Sequence, residues 1–189
     1  MLAVLAGRNF WKGPAAERER YVAEAGLEGT MRTEARVVVK RLGVADIVLA
    51  RATFRLMAEV FDEGVGELSE GYVSALLGRA DFWAMAALQD ARPIGGITAH
   101  VLPMTRSEAQ ELFIYDLAVQ PAHQRRGVGR LLVETLCRDA AAADVPVAFV
   151  PADVEDDHAV AFYQALGGRA APVTIFSFEV RAHDPPVVP

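Results

Sequence analysis

A single cysteine, Cys137, stands among 189 residues, so an intrachain disulfide is excluded and a thiolate metal cluster has no second ligand. The histidines, His100, His123, His158 and His183, lie far apart and show no His-x-x-x-His or other compact ligand spacing. No metal is implied. Long apolar runs are missing as well: the opening MLAVLAGRNFWKG has no positive charge ahead of its apolar residues and is too short to span a bilayer. Neither a signal peptide nor an anchor is expected there, and a cytoplasmic location is the corresponding expectation. Positive charge is scarce and scattered, with 19 Lys and Arg against 25 Asp and Glu and a formal net charge of -6. A nucleic-acid footprint would need a basic stripe. The one close basic cluster, Arg125, Arg126 and Arg130, suits a small phosphorylated ligand better than a long backbone. No nucleic-acid partner and no membrane contact are expected.

The chain does have apolar residues, 52% of the whole beside 23% charged, enough for one domain with a sizeable core but short for two. Regular patterning begins near Ala35, after a stretch that mixes Trp11, Gly13, Pro14 and the charged run Glu17-Arg18-Glu19-Arg20. Residues 1–34 are read as an N-terminal extension, 35–180 as the folded domain, and 181–189, ending Pro185-Pro186-Val187-Val188-Pro189, as a loose tail. Residues 36–40 read as a strand, and 44–59 place Ala45, Val48, Leu49, Ala52, Leu56 and Met57 at helical spacing. A second helix is expected over 69–77, after an acidic loop holding Asp62, Glu63, Gly64, Gly66 and Glu67. Residues 81–88 and 94–102 read as strands joined around Asp90-Ala91-Arg92-Pro93.

Residues 112–119 make the strongest strand signal, aromatic and branched and closed by Pro121. The helix after Gly129 has Leu131, Leu132, Thr135, Leu136 and Ala140 on one face, and Asp144-Val145-Pro146 stops it. Residues 147–150 read as a short buried strand. A helix over 159–166 takes Asp157 as its N-cap and Gly167 as its stop, and 173–180 supply a last strand. The order β-α-α-β-β-β-α-β-α-β predicts a mixed α/β domain.

Where the strongest strand passes into a helix stands Gln124-Arg125-Arg126-Gly127-Val128-Gly129-Arg130. Backbone N–H groups at a helix start have no intrahelical partner and can hold an anion, and the helix dipole adds roughly 0.3–1 kcal/mol of attraction. Glycines at 127 and 129 remove the Cβ atoms that would keep a pyrophosphate from the main chain. The plainer reading is a helix-start turn with solvated arginines. A dinucleotide fingerprint would need a glycine where this chain has Leu132, and no Gly-Lys-Ser/Thr stands where a Walker loop requires it. A coenzyme with a pyrophosphate but no nicotinamide chemistry fits better.

Three segments, Phe113-Ile114-Tyr115-Asp116-Leu117-Ala118-Val119, His123-Gln124-Arg125-Arg126-Gly127-Val128-Gly129, and the run from Ala152 through Gly167 that includes Phe162-Tyr163-Gln164-Ala165-Leu166, carry a resemblance. Val101-Leu102-Pro103 agrees with it. The chain resembles the Gcn5-related N-acetyltransferase superfamily, whose pattern is Gln/Arg-x-x-Gly-x-Gly/Ala after a strand, and within it the aminoglycoside 3-N-acetyltransferase type I group. The likeness covers residues 35 to 180 and leaves the first segment unexplained. It implies a single-domain acyl-CoA N-acyltransferase fold, a mixed, largely antiparallel sheet flanked by helices, with acetyl-CoA as acetyl donor. By the same resemblance the backbone of Leu117, Ala118 and Val119 pairs with the pantetheine arm. Gln124 and the amides of Arg125, Arg126, Gly127, Val128, Gly129 and Arg130 take the pyrophosphate. Tyr163 stands near the thioester sulfur as general acid. Asp116, Asp153, Glu155, Asp156 and Asp157 face a polycationic amino sugar, with Asp62, Glu63, Glu67 and Glu179 as weaker candidates for the opposite rim. A homodimer is also implied. His158 departs from the group, standing where a proline often begins the last helix.

An amine attacks a thioester only with its lone pair free, so the site must take a proton from an ammonium and stabilise developing oxyanion charge. Asp116, the lone carboxylate in an apolar strand, is the acceptor or a water positioner; the alternative is an outward-facing or hydrogen-bonded structural Asp. The acidic run 153–157 attracts a polycation, or is a solvated loop with one helix cap. Tyr163 returns a proton to the departing thiolate, or is an aromatic core residue beside Phe162 and Leu166. Tyr115 reads as strand packing. Cys137 shows no His-Asp partner, which favours direct transfer over an acetyl-cysteine. The expected function is acetyl transfer to a primary amine of an aminoglycoside, at the 3-amino group. The alternatives are a polyamine or protein amine as acceptor, or a non-catalytic acyl-CoA-binding module.

Overall fold

The computed structural model describes residues 36–64 and 66–178. Strand β2 (Phe82–Gln89) divides this part of the molecule by its alternation. Trp83, Met85 and Ala87 join one apolar cluster, while Phe82, Ala84 and Ala86 join another. A strand buried on both faces is the centre of a sheet covered from two sides. The sheet has five strands in sequence order: β1 (Val38–Arg41), β2, β3 (Arg92–Pro103), β4 (Gln110–Val119) and β5 (Val147–Phe149). Neighbours are antiparallel except β4 and β5, which run parallel, so the sheet is mixed and largely antiparallel as expected.

On one face lie α1 (Ile47–Val60), entered through the 3-10 turn Val44–Asp46, and α2 (Glu70–Leu77), capped by Ser69. Ala50, Val73 and Leu77 pack there against the even residues of β2. The other face is covered by α3 (Val128–Ala142), whose Val128, Leu132, Val133, Leu136 and Ala140 lie over Ile97, Ala99, Leu112 and Ile114. The last helix, α4 (Asp157–Ala165), adds Phe162 to the α3-side cluster. These boundaries follow the apolar spacing of the sequence closely.

Four local expectations need correction. The turn between β2 and β3 is only Asp90-Ala91, both at positive φ (50° and 62°), and Arg92 and Pro93 already pair with Gln89 and Leu88. Two successive left-handed residues make the turn that matches the twist of a two-residue hairpin, so the ladder continues to the turn itself. Strand β5 is exposed along its length rather than buried, because it is the edge of the sheet among the described residues. The N-cap of α4 is Asp156, not Asp157: its Oδ1 accepts from the amides of His158 and Ala159 at 3.1 and 3.0 Å. Finally, residues 173–178 form no strand despite their β-prone composition, since no strand among the described residues pairs with them. Residues 179 and 180 of that expected strand, and with them Glu179, lie outside the described residues.

A β-bulge in β4 positions the chemistry. Thr98 pairs with Asp116 and Ala99 with Ile114, so Tyr115 is the extra residue. Before it, Leu112 and Ile114 face the α3-side core; after it, Leu117 and Val119 do, and Ala118 joins Leu56 and Met57 under α1. An uninterrupted strand would have aimed Asp116 with Ile114 into the α3-side core. The bulge turns it to the α1 side.

Candidate active site

Strand β4 has β3 along one edge, but β5 accompanies the other edge only at Glu111, Leu112 and Phe113. Beyond Phe113 the strands part. The second edge of β4 from Ile114 to Val119 has no strand partner among the described residues and can hydrogen-bond an extended amide-bearing chain, as an added strand would. Leu117, Ala118 and Val119 lie on that open stretch.

The chain then passes through the 3-10 turn Pro121–His123 into the glycine turn. Arg125 takes φ 59° and Gly127 φ 82°, and the first α3 bond runs from the Leu131 amide to the Gly127 carbonyl at 2.9 Å. The amides of Val128, Gly129 and Arg130 are left without intrahelical acceptors at the positive end of a 15-residue helix. Arg125 and Arg126 are exposed and form no ion pair with any described residue. These groups fit a pyrophosphate.

Other parts of the motif hold the frame. Gln124 donates its side-chain amide to the Val119 carbonyl at 3.0 Å, tying the turn to the end of β4. Arg130 reaches the Ala165 carbonyl at 3.2 Å and Glu134 at 3.4 Å, so its guanidinium braces the end of α4. The two glycines have different reasons. Gly127 needs its left-handed φ, and a Cβ there would meet nothing within 4 Å; a Cβ on Gly129 would stand 3.2 Å from the Phe162 ring. Gly129 thus lets α4 close on the start of α3, which a spacing argument based on phosphate alone misses.

Asp116 lies on the α1 face of β4, where Thr98, 6% exposed, donates from Oγ1 to Oδ2 at 3.3 Å. Burial raises the carboxyl pKa to about 6, against the lowering effect of the Thr98 hydrogen bond, and the negative charge of Glu63 raises it further. Glu63, in the loop after α1, is therefore near enough to be felt by Asp116. Thr98 was not a sequence candidate. Its only signal is a polar side chain in an apolar strand, and its partner emerges only from cross-strand register.

Tyr163 follows Phe162 on α4, the two rings edge-on with centroids 5.0 Å apart. Burial, then the charge of Asp156, raises its phenol to about 12. The phenol therefore keeps its proton through the neutral range and holds it more tightly than a free tyrosine. Phe162, beside Tyr163 on α4, packs with the α3-side cluster whereas Asp116 faces α1, so the two candidate groups are carried by elements on opposite sides of the sheet. In the acidic run, Asp153 accepts from the Glu155 amide at 3.0 Å and Asp156 caps α4, while Glu155 and Asp157 are exposed. Among the described residues no group of three or more His, Cys, Asp or Glu could hold a metal ion, and no helix is long and apolar enough to cross a membrane.

Comparison with known proteins agrees with this geometry. The Acetyltransferase (GNAT) family pattern matches residues 49–167. An aminoglycoside acetyltransferase, HMB0005, from an uncultured soil metagenomic sample is 33% identical, with a TM-score of 0.73 over 77% of this chain and 99% of that one. A second, meta-AAC0020, also from an uncultured soil metagenomic sample and solved in complex with sisomicin, is 27% identical, with a TM-score of 0.73 over 77% of this chain and 97% of its own. AAC(6')-Iy, solved in complex with CoA, shares the fold at 16% identity and a TM-score of 0.63. The comparison with curated proteins finds no match.

Proposed function

The chain belongs to the GNAT acetyltransferase family, and from that premise we propose that it acetylates a primary amine of an aminoglycoside, at the 3-amino group. Membership makes it an acyltransferase that uses acetyl-CoA, which supplies an activated acetyl thioester. The observation that carries the acceptor reading is Asp116: a mostly buried carboxyl, raised to about 6, beside the open edge of β4.

At pH 7 that carboxyl is ionised yet more basic than a free aspartate, so it attracts an ammonium and accepts its proton. Glu63 lies near enough to influence Asp116 and favours a cation over a neutral acceptor. The β4 edge at Leu117, Ala118 and Val119 aligns the donor arm, the amides of Val128, Gly129 and Arg130 take the phosphates, and Tyr163 gives its proton at the sulfur. Glu155 and Asp157, with Asp153 and Asp156 behind them, hold the remaining ammonium groups of a polycation. Meta-AAC0020 was solved with sisomicin, an aminoglycoside, which supports this substrate class. The family reading also carries a homodimer.

Incubation with acetyl-CoA and a panel of sisomicin, spermidine and a lysine peptide, followed by mass analysis and NMR of the products, tests the proposal. Selective mono-acetylation of sisomicin at the 3-amino nitrogen is expected. Acetylation at another nitrogen overturns the regiochemistry; preference for spermidine or the peptide overturns the acceptor class; CoA binding without product reduces the chain to a binding module.

A further inference from the structure

The glycine turn carries backbone strain. Arg125, a residue with a Cβ, takes φ 59°, in the left-handed region that such residues avoid, and Gly127 takes φ 82°. Conformations of this kind persist only where the surroundings impose them. Apolar packing imposes nothing on the turn itself, because Arg125, Arg126 and Gly127 are exposed, as are Pro121 and Ala122 before them. Downstream the anchor is Val128, 3% exposed and packed in the α3-side cluster. Upstream the anchors are polar.

The Gln120 amide donates to the Ile94 carbonyl of β3 at 2.9 Å, and the Gln124 side chain holds the Val119 carbonyl of β4 at 3.0 Å. A third tie reaches further. His123 Nε2 lies 3.0 Å from Oε1 of Gln89, the last residue of β2, which pairs with Arg92 across the hairpin turn. A carbonyl oxygen only accepts, so Nε2 carries the proton in this contact and Nδ1 is a bare acceptor. That Nδ1 is buried and has no hydrogen-bond partner among the described residues. Burying an unpaired acceptor is unfavourable, and an apolar side chain would fill the same space without it. What the imidazole contributes is therefore at Nε2, in the link from the turn to the β2–β3 hairpin.

We propose that His123 is a positioning residue for the coenzyme: by holding Gln89 it fixes the upstream end of the glycine turn and keeps the turn amides converged on one pyrophosphate site. It acts without touching the coenzyme, since one ring nitrogen is buried and the other is bonded to Gln89. Without this tie the strained turn relaxes, and the coenzyme must reorder it on binding, which lowers affinity. The inference rests on the pyrophosphate reading of the turn and not on the identity of the acceptor.

The test titrates the full chain with CoA by calorimetry, beside thermal melting, for His123→Ala, His123→Gln, Gln89→Ala and the double variant His123→Ala with Gln89→Ala. His123→Ala is expected to weaken CoA binding by roughly 3–10-fold, the scale of one neutral hydrogen bond, with little change in melting temperature. His123→Gln, whose side-chain amide can donate where the Nε2 proton did, should restore most of that affinity. Gln89→Ala should weaken binding to a similar extent, and the double variant should be no worse than either single one. Unchanged affinity in His123→Ala overturns the proposal. So does a failure of His123→Gln to restore binding, or full additivity in the double variant, since either makes the ring a packing residue. Should His123→Ala not fold, the comparison of His123→Gln with Gln89→Ala decides: affinity kept in the first and lost in the second supports the tie, and any other pattern sinks it. Gly127→Ala is the control. If it too leaves CoA affinity intact, the turn does not hold the pyrophosphate and the site reading falls with the inference; if it weakens binding while His123→Ala does not, only the inference falls.

Discussion

A carboxylate within a strand avoids a buried charge by turning outward or by keeping its proton, and Asp116 does some of each. The bulge at Tyr115 takes it out of the α3-side core, and the remaining burial holds its pKa at about 6. Since this is above the unfolded value, the folded state binds the proton more tightly, and stability falls as pH rises from about 4 through 6. By pH 8 the penalty is complete, on the order of 3 kcal/mol. Asp116→Asn keeps an acceptor for Thr98 and carries no charge. It should raise the melting temperature at pH 8, have little effect near pH 3.5, and lower single-turnover acetylation by roughly 10²–10⁴-fold. Unchanged turnover would remove Asp116 from the chemistry. Thr98→Val deletes the bond that favours the ionised carboxyl, so the acid limb of kcat/KM should move to higher pH, while Thr98→Ser should leave it in place. Tyr163 is the opposite case, a group kept neutral. With its phenol at about 12, Tyr163→Phe should leave CoA affinity nearly intact and slow the single-turnover step by roughly 10²–10⁴-fold. An unaltered step would return Tyr163 to packing.

At the scale of elements, the glycine turn is two devices joined, and substitutions should separate them. Gly127→Ala forces a side chain into a left-handed position at a cost of roughly 1–2 kcal/mol, distorting the amides that face the phosphates. Gly129→Val instead pushes against Phe162 and loosens α4 from α3. Calorimetric titration with CoA beside thermal melting should show weaker binding with a modest melting change for Gly127→Ala. For Gly129→Val a larger melting loss is expected, with slower single-turnover chemistry because Tyr163 shares the displaced helix. Identical profiles would mean that both glycines serve one purpose. Elements such as α1, α3 and β4 were legible because their signals lie along the chain, in apolar spacing and branched residues. The Thr98–Asp116 pair was hidden because bulge and register belong to two strands together. The contact of Gly129 with Phe162 was hidden because it joins two helices far apart in sequence. The segment 173–178 was read correctly as β-prone and wrongly as a strand, since composition gives the preference and only a neighbour completes the pairing.

The whole molecule carries a net charge of -6, and its reach toward a polycation depends on where free negative charge faces the acceptor. In the run before α4, Asp153 and Asp156 accept backbone amides, whereas Glu155 and Asp157 are exposed. Asp156 nevertheless contributes to the field, since its charge raises the Tyr163 phenol. Exposed charges act over a Debye length of about 8 Å at 0.15 M salt, so their contribution is expected to fade as salt is added, while the buried Asp116 is screened less. Asp156→Asn is the informative change, because asparagine caps a helix as well as aspartate and the charge is removed without losing α4. Combined with Asp157→Asn, it should raise the KM for a multiply charged aminoglycoside more than that for a monoamine. Raising salt toward 1 M should lift the wild-type KM for the polycation until the two enzymes converge, with kcat nearly constant. If the ratio of the two KM values is unmoved by the substitutions at low salt, the run before α4 is a capped, solvated turn, and recognition of the cation falls to Asp116 and Glu63.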